Sequence, residues 1–139
     1  MKNLNLLILF IFISCSSNVP VTFDNSKPYV TQFYDPTSIK LKADKSDTSI
    51  IFFTASFFNE KIEIKSDGKL IDKDTISTIN QIGLAKHIVV NNSKKINVKI
   101  GNKHVMVFPE KMKIYKFIYI SKHGKKYFME YSNKMKSFA

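Results

Sequence analysis

The sequence predicts an all-β protein, a small β-sandwich of about nine short antiparallel strands. Three observations carry that expectation. From Lys86 onward, turn residues recur at short intervals: Asn91-Asn92-Ser93, Gly101-Asn102, Pro109-Glu110 and His123-Gly124-Lys125. Such spacing punctuates consecutive hairpins. In Ile96-Asn97-Val98-Lys99-Ile100 apolar and polar residues alternate strictly, which sends one set toward a core and the other toward water. No stretch sustains the apolar period of a long amphipathic helix.

Taken in order, residues 16–28 carry Ser, Asn, Pro and isolated apolar side chains without a period, and read as a linker. Tyr29–Tyr34 is aromatic and β-branched, a strand stopped by Asp35-Pro36. Ser38–Lys42 alternates weakly around Ile39 and Leu41. Ser49–Phe58 is nearly continuous apolar sequence, and its β-branched and aromatic content favours a central strand over a buried helix. Glu60–Lys65, with Ile62 and Ile64 inward, pairs with Lys69–Asp72 about the turn Ser66-Asp67-Gly68. In residues 73–85, Ile76, Ile79 and Ile82 fall three apart. That leaves one short helical turn open near 76–82, ended by Gly83.

Strands then follow over His87–Val90, Lys95–Ile100, Lys103–Phe108, Lys111–Ser121 and Lys126–Ser132. The fourth of these starts with Met112 and Ile114 inward and loses register at Tyr115-Lys116. A bulge or a crossing between sheets produces that pattern. Asn133–Ala139 reads as a frayed terminus. In architecture this hairpin-rich chain resembles the immunoglobulin-like or transthyretin-like sandwiches of exported bacterial proteins.

The N-terminus has a different character. Lys2 precedes the apolar run Leu4–Ile13, and Ser14 stands before Cys15. A positive start, a short apolar core and a small residue are the parts of an export signal. The run is about half of what a membrane-spanning helix needs. Phe12-Ile13-Ser14-Cys15 resembles the lipobox of bacterial lipoproteins, with Phe12 where Leu is more usual. The resemblance implies that Cys15 is acylated with a diacylglycerol of palmitate-type chains and becomes the first mature residue. The expected organisation is a signal peptide over 1–14, a lipidated tether over 15–28 and a single β domain over 29–139. The expected location is the bacterial cell envelope, membrane-anchored on its periplasmic or surface side.

Composition narrows the function. With 12 Phe and 6 Tyr in a chain that is 44% hydrophobic, a real core is affordable and global disorder is excluded. Cys15 is the only cysteine, so no disulfide or thiolate metal site can form within the chain. All 22 basic residues are lysine. Lysine is a point charge without arginine's planar fork, and specific base reading leans on that fork; no nucleic-acid partner is expected. The charge is also uneven. Residues 86–139 hold 13 lysines against only Glu110 and Glu130, an asymmetry that points to an anionic partner.

Searching for chemistry yields little. His87, His104 and His123 lack paired ligand spacing and have no carboxylate beside them in sequence, so no metal site is expected. Asp67, Asp72 and Asp74 lack the closing Glu of a calcium loop, and turn chemistry accounts for Asp67-Gly68. No Gly-x-Ser-x-Gly or glycine-rich phosphate loop occurs. The aromatic residues Tyr115, Phe117, Tyr119, Tyr127, Phe128 and Tyr131 read as core and cross-strand packing. The chain therefore reads as non-catalytic, without a cofactor. It is a lipid-anchored binding or structural module whose lysine-rich C-terminal half faces an anionic lipid, glycan or acidic protein. The candidate contacts are Lys94, Lys95, Lys99, Lys103, Lys111, Lys113, Lys122, Lys125 and Lys126. The alternative class is an inhibitor or immunity-type lipoprotein that blocks an envelope enzyme.

Overall fold

A computed structural model describes residues 19–24 and 45–138. The expected signal peptide over 1–14, Cys15, most of the expected tether and the expected strands Tyr29–Tyr34 and Ser38–Lys42 lie outside the described residues. Nine strands and one helical turn are described: β1 Val21–Phe23, β2 Thr48–Phe53, β3 Glu60–Ser66, β4 Lys69–Ile76, β5 Lys86–Asn91, β6 Ile96–Ile100, β7 Lys103–Val107, α1 Pro109–Met112, β8 Phe117–His123 and β9 Lys126–Ser132. They form two sheets, one in the order β1-β9-β8-β2-β5 and one in the order β4-β3-β6-β7. The protein is an all-β sandwich. Most pairings are antiparallel, but β2 runs parallel to β8 and β1 runs parallel to β9.

The larger sheet explains the unbroken apolar run. Successive strand residues face opposite sides, and in β2 both sides are covered. Ile51 and Phe53 point into the space between the sheets with Ile118, Ile120, Ile62, Ile64, Val98 and Val105. Ile50 and Phe52 point the other way and join Phe117 and Tyr119 in a second buried cluster, packed against Leu84, Val89, Met135 and Phe138. Residues 133–138, expected to fray, are therefore part of the structure. Tyr119 Oη donates to the Lys134 carbonyl (2.8 Å) and accepts from the Lys136 N–H (2.8 Å). Of the aromatic ladder, Tyr127 and Tyr131 lie in the first cluster and Phe117 and Tyr119 in the second; Tyr115 is half-buried against the first, and Phe128 is half-buried against His123.

Turn chemistry fixes the smaller sheet. Asp67 and Gly68 both have positive φ (46° and 81°), the backbone of a two-residue hairpin whose twist matches its strands. The Asp67 carboxylate accepts the Lys95 N–H (2.9 Å), and the Asp67 N–H donates to the Lys95 carbonyl (2.9 Å). This pair of bonds ties the β3–β4 hairpin to the β5–β6 turn. β4 runs four residues beyond its expected end at Asp72 and carries Lys69, Asp72, Lys73 and Asp74. Charge along an edge strand discourages pairing with another chain.

Four expectations are corrected. The run Ser49–Phe58 is a strand only to Phe53; Ser56 and Asn59 have positive φ (66° and 47°) and the chain turns. Thr78 holds that turn, its Oγ1 donating to the Thr54 carbonyl (2.6 Å) and accepting from the Phe57 N–H (3.0 Å). Over residues 76–82 the helical reading reduces to one turn. Ile82 and Gly83 donate to the Ile79 carbonyl (3.1 and 2.8 Å) beside an Ile79–Leu84 bridge, and Gly83 ends the turn at φ 66°; Ile76 instead closes β4 and is buried, while Ile79 is 52% exposed.

Lys111–Ser121 is not one strand. Pro109 begins α1, its fixed φ suiting the first helical position; Met112 is buried while Ile114 is 60% exposed. This turn carries the chain from β7 in the small sheet to β8 in the large one, the crossing that the lost register had signalled. Finally, the segment assigned to the tether contributes β1. Val21, Thr22 and Phe23 pair with Met129, Glu130 and Tyr131.

Burial gives the fold an alkaline limit. Tyr131 is pushed up to about 12 by burial, and burial also raises Tyr119 and Tyr127. Lys122 is raised by its hydrogen bond to Glu60, and Lys86 by its bond to Asp74. All five groups hold their protons more tightly when folded. Their contribution is complete below their ordinary values near 10 and is lost as pH rises through the raised ones. Resistance to thermal unfolding should therefore fall steeply between pH about 10 and about 12, with tyrosinate absorbance appearing together with unfolding. Early titration of all tyrosines in still-folded protein would contradict this.

Candidate functional site

The register determines where each lysine goes. β8 rises toward the β8–β9 turn and β9 descends from it; β2 rises with β8 and β5 descends. In the facing sheet, Glu60 at the start of β3 meets Lys122, while Asp67 after β3 meets Lys95. Two ends follow. The β8–β9 end carries Lys103, Lys122, Lys125 and Lys126. The α1 end carries Lys94, Lys95, Lys111 and Lys113. Lys99 lies on the outward side of β6, opposite Glu63 and His104. The nine candidate lysines are thus split between opposite ends of the sandwich and do not share one face.

They also differ in availability. Lys94, Lys95, Lys111, Lys113, Lys125 and Lys126 are exposed, while Lys99, Lys103 and Lys122 are half-buried. Lys122 reaches across the gap between the sheets to form an ion pair with Glu60, and Tyr127 Oη stands 3.5 Å from the same carboxylate. Lys103 and Lys122 both lie 5.8 Å from the Tyr127 ring centroid, within cation–π reach. Lys122 therefore helps close the sandwich and is not offered to a partner. Lys86 does the same along another side, bonding Asp72 (3.0 Å) and Asp74 (2.8 Å) from the opposite sheet. Its hydrogen bond holds the Asp74 carboxyl below the usual range.

At the α1 end, Ile96 pairs with Val107, which sets Lys95 beside Phe108. Phe108 is 44% exposed. Lys111 Nζ lies 4.9 Å from the ring centroid of Phe23, on the neighbouring edge of the large sheet. The inner side of this end is closed by Lys116, whose ammonium is buried and donates to the carbonyls of Lys45 and Thr48. This role of Lys116 had no signal in the sequence beyond the broken register. Lys61, exposed at the β8–β9 end, was also missed, because residues before 86 balance in charge.

The histidines lie on separate strands and all are exposed. His104 Nδ1 is 3.1 Å from Asn97 Oδ1, and His123 packs edge-on against Phe128. Among the described residues no group of three or more His, Cys, Asp or Glu is arranged to hold a metal ion. A shallow groove crosses the outer side of the small sheet between Lys61, Glu63, Lys73 and Lys99, and its Lys73–Glu63 pair (3.5 Å) is solvent-exposed. What these surfaces can do is attract anions.

The class defined by this architecture is a two-sheet β-sandwich with basic ends. No protein-family model matches the chain, and no curated protein or solved structure matches it.

Proposed function

We propose that the protein is a lipid-anchored module of the bacterial cell envelope, held by Cys15, that binds an anionic partner without catalysing a reaction on it. The observation that carries this reading is the α1 end, where Lys94, Lys95, Lys111 and Lys113 are exposed beside a half-exposed Phe108. Lysines that outnumber Asp67 and Glu110 at this end suit an acidic protein or anionic glycan, and they speed encounter more than they fix geometry.

Replacing Lys94, Lys95, Lys111 and Lys113 by Glu should weaken capture by an anionic polysaccharide resin by about tenfold or more in low salt. The far-UV spectrum should not change, because all four side chains are in water. Unchanged retention would refute the reading. Tight association with one soluble enzyme, insensitive to salt and to these substitutions, would favour the inhibitor or immunity class instead.

A further inference from the structure

The β8–β9 end has a second character. Two of the loops there, residues 54–59 and 77–85, contain no charged residue in a chain with 22 lysines. From them Phe58 stands 79% exposed and Ile79 52% exposed. The loops are braced against each other. Besides the Thr78 clamp, the Thr78 N–H donates to the Phe57 carbonyl (2.9 Å) and the Asn59 N–H to Ser77 Oγ (2.9 Å). Around this apolar tip, Lys61, Lys125 and Lys126 are exposed. The nearby carboxylates are already engaged, Glu60 with Lys122 and Asp72 and Asp74 with Lys86.

From these features we propose that this end docks on the anionic bilayer that holds the anchor. Phe58 and Ile79 enter the boundary between headgroups and acyl chains, and Lys61, Lys125 and Lys126 meet the headgroups. This rests on the anchoring reading, and the direction of the chain supplies the argument for which end. β1 runs parallel to β9, and the Met129 N–H donates to the Pro20 carbonyl (3.0 Å). The described segment therefore begins, at Val19, toward the β8–β9 end and runs away from it. Cys15 is four positions before Val19, a reach of at most ~14 Å. The parallel register sets Val19 level with Tyr127, so the α1 end at Ser132 lies five strand residues away, ~17 Å. Bonding among loop groups also lowers the cost of bringing backbone near lipid, where an unsatisfied group is expensive. Each lysine near an anionic leaflet adds to the attraction. The α1 end is then left facing away from the membrane, free for its own partner.

The chain has no tryptophan, so Phe58→Trp creates a single reporter, and Phe108→Trp gives the matching reporter at the other end. Both are measured in the full acylated protein on mixed phosphatidylethanolamine–phosphatidylglycerol vesicles. The Phe58→Trp protein should show blue-shifted emission quenched by brominated lipid, and the Phe108→Trp protein should keep water-like emission open to an aqueous quencher. In the full chain with Cys15→Ala, Lys125→Glu with Lys126→Glu should weaken vesicle binding about thirtyfold or more. Water-like emission from Phe58→Trp on vesicles, or a shift only when a protein partner is added, overturns the docking. Acylation is read separately from intact mass. An acylated chain whose residue-58 reporter stays in water sinks the docking alone, whereas a chain without acyl mass sinks the anchoring on which it rests.

Discussion

Phe52→Ala and Phe53→Ala should each destabilise the fold by about 3–5 kcal/mol, although the two side chains point to opposite sides of one sheet. Phe53 lies between the sheets, edge-on to Phe57 at 5.9 Å. Phe52 lies on the other side, stacked on Tyr119 at 5.2 Å and tilted against Phe138 at 5.1 Å and Phe117 at 6.2 Å. Both are fully buried, so truncation forfeits the transfer of the ring and leaves a cavity that the surrounding strands fill only in part. Against a typical domain stability of about 5–15 kcal/mol, either variant would be marginal at physiological temperature. Urea unfolding midpoints measure this directly. If the outer side of the large sheet were solvated, as in a simple sandwich, Phe52→Ala would fall within about 0.5 kcal/mol of the parent.

That double burial was legible in part. Ser49–Phe53 lacks polar residues at alternate positions, and such a run marks a strand covered on both sides. The hairpins were also legible, since Asp67-Gly68 requires positive φ and β9 begins and ends where its alternation does. Other features left no local trace. The pairing of β2 with β8 joins residues far apart in sequence in parallel, and no turn encodes it. In α1, Lys111-Met112-Lys113-Ile114 alternates as a strand would, and Pro109 outweighs that pattern by favouring a helical start. Phe57 and Phe58 extend the apolar run past the strand because one is core and the other projects into solvent.

The candidate site was legible only as composition. The excess of lysine after residue 85 is real, yet strand direction sends neighbouring hairpins to opposite ends, so a cluster in sequence becomes two clusters in space. Lys122 shows the same limit at one residue. Its place near a turn suggested an exposed charge, but its position on the inward side of β8 brings it to Glu60.

Cys15→Ala carries the other large expected effect. If Cys15 bears two or three acyl chains, each buried CH₂ contributes about 0.8 kcal/mol, and two chains already exceed what stable anchoring needs. Removing the sulfur should move the protein from the membrane fraction to the soluble fraction. Among the described residues no helix is long and apolar enough to cross a membrane; the charge attraction expected of them is that of the lysines at the β8–β9 end. Salt should release it, because exposed charges are screened over roughly 10 Å at 0.1 M ionic strength.

Intact mass of the membrane-extracted protein, measured beside the Cys15→Ala variant, tests the account most directly. The expected result is a chain that begins at Cys15 with added acyl mass, and loss of both the mass and the membrane association in the variant. An unacylated chain in the soluble fraction, indistinguishable in behaviour from the variant, would contradict it.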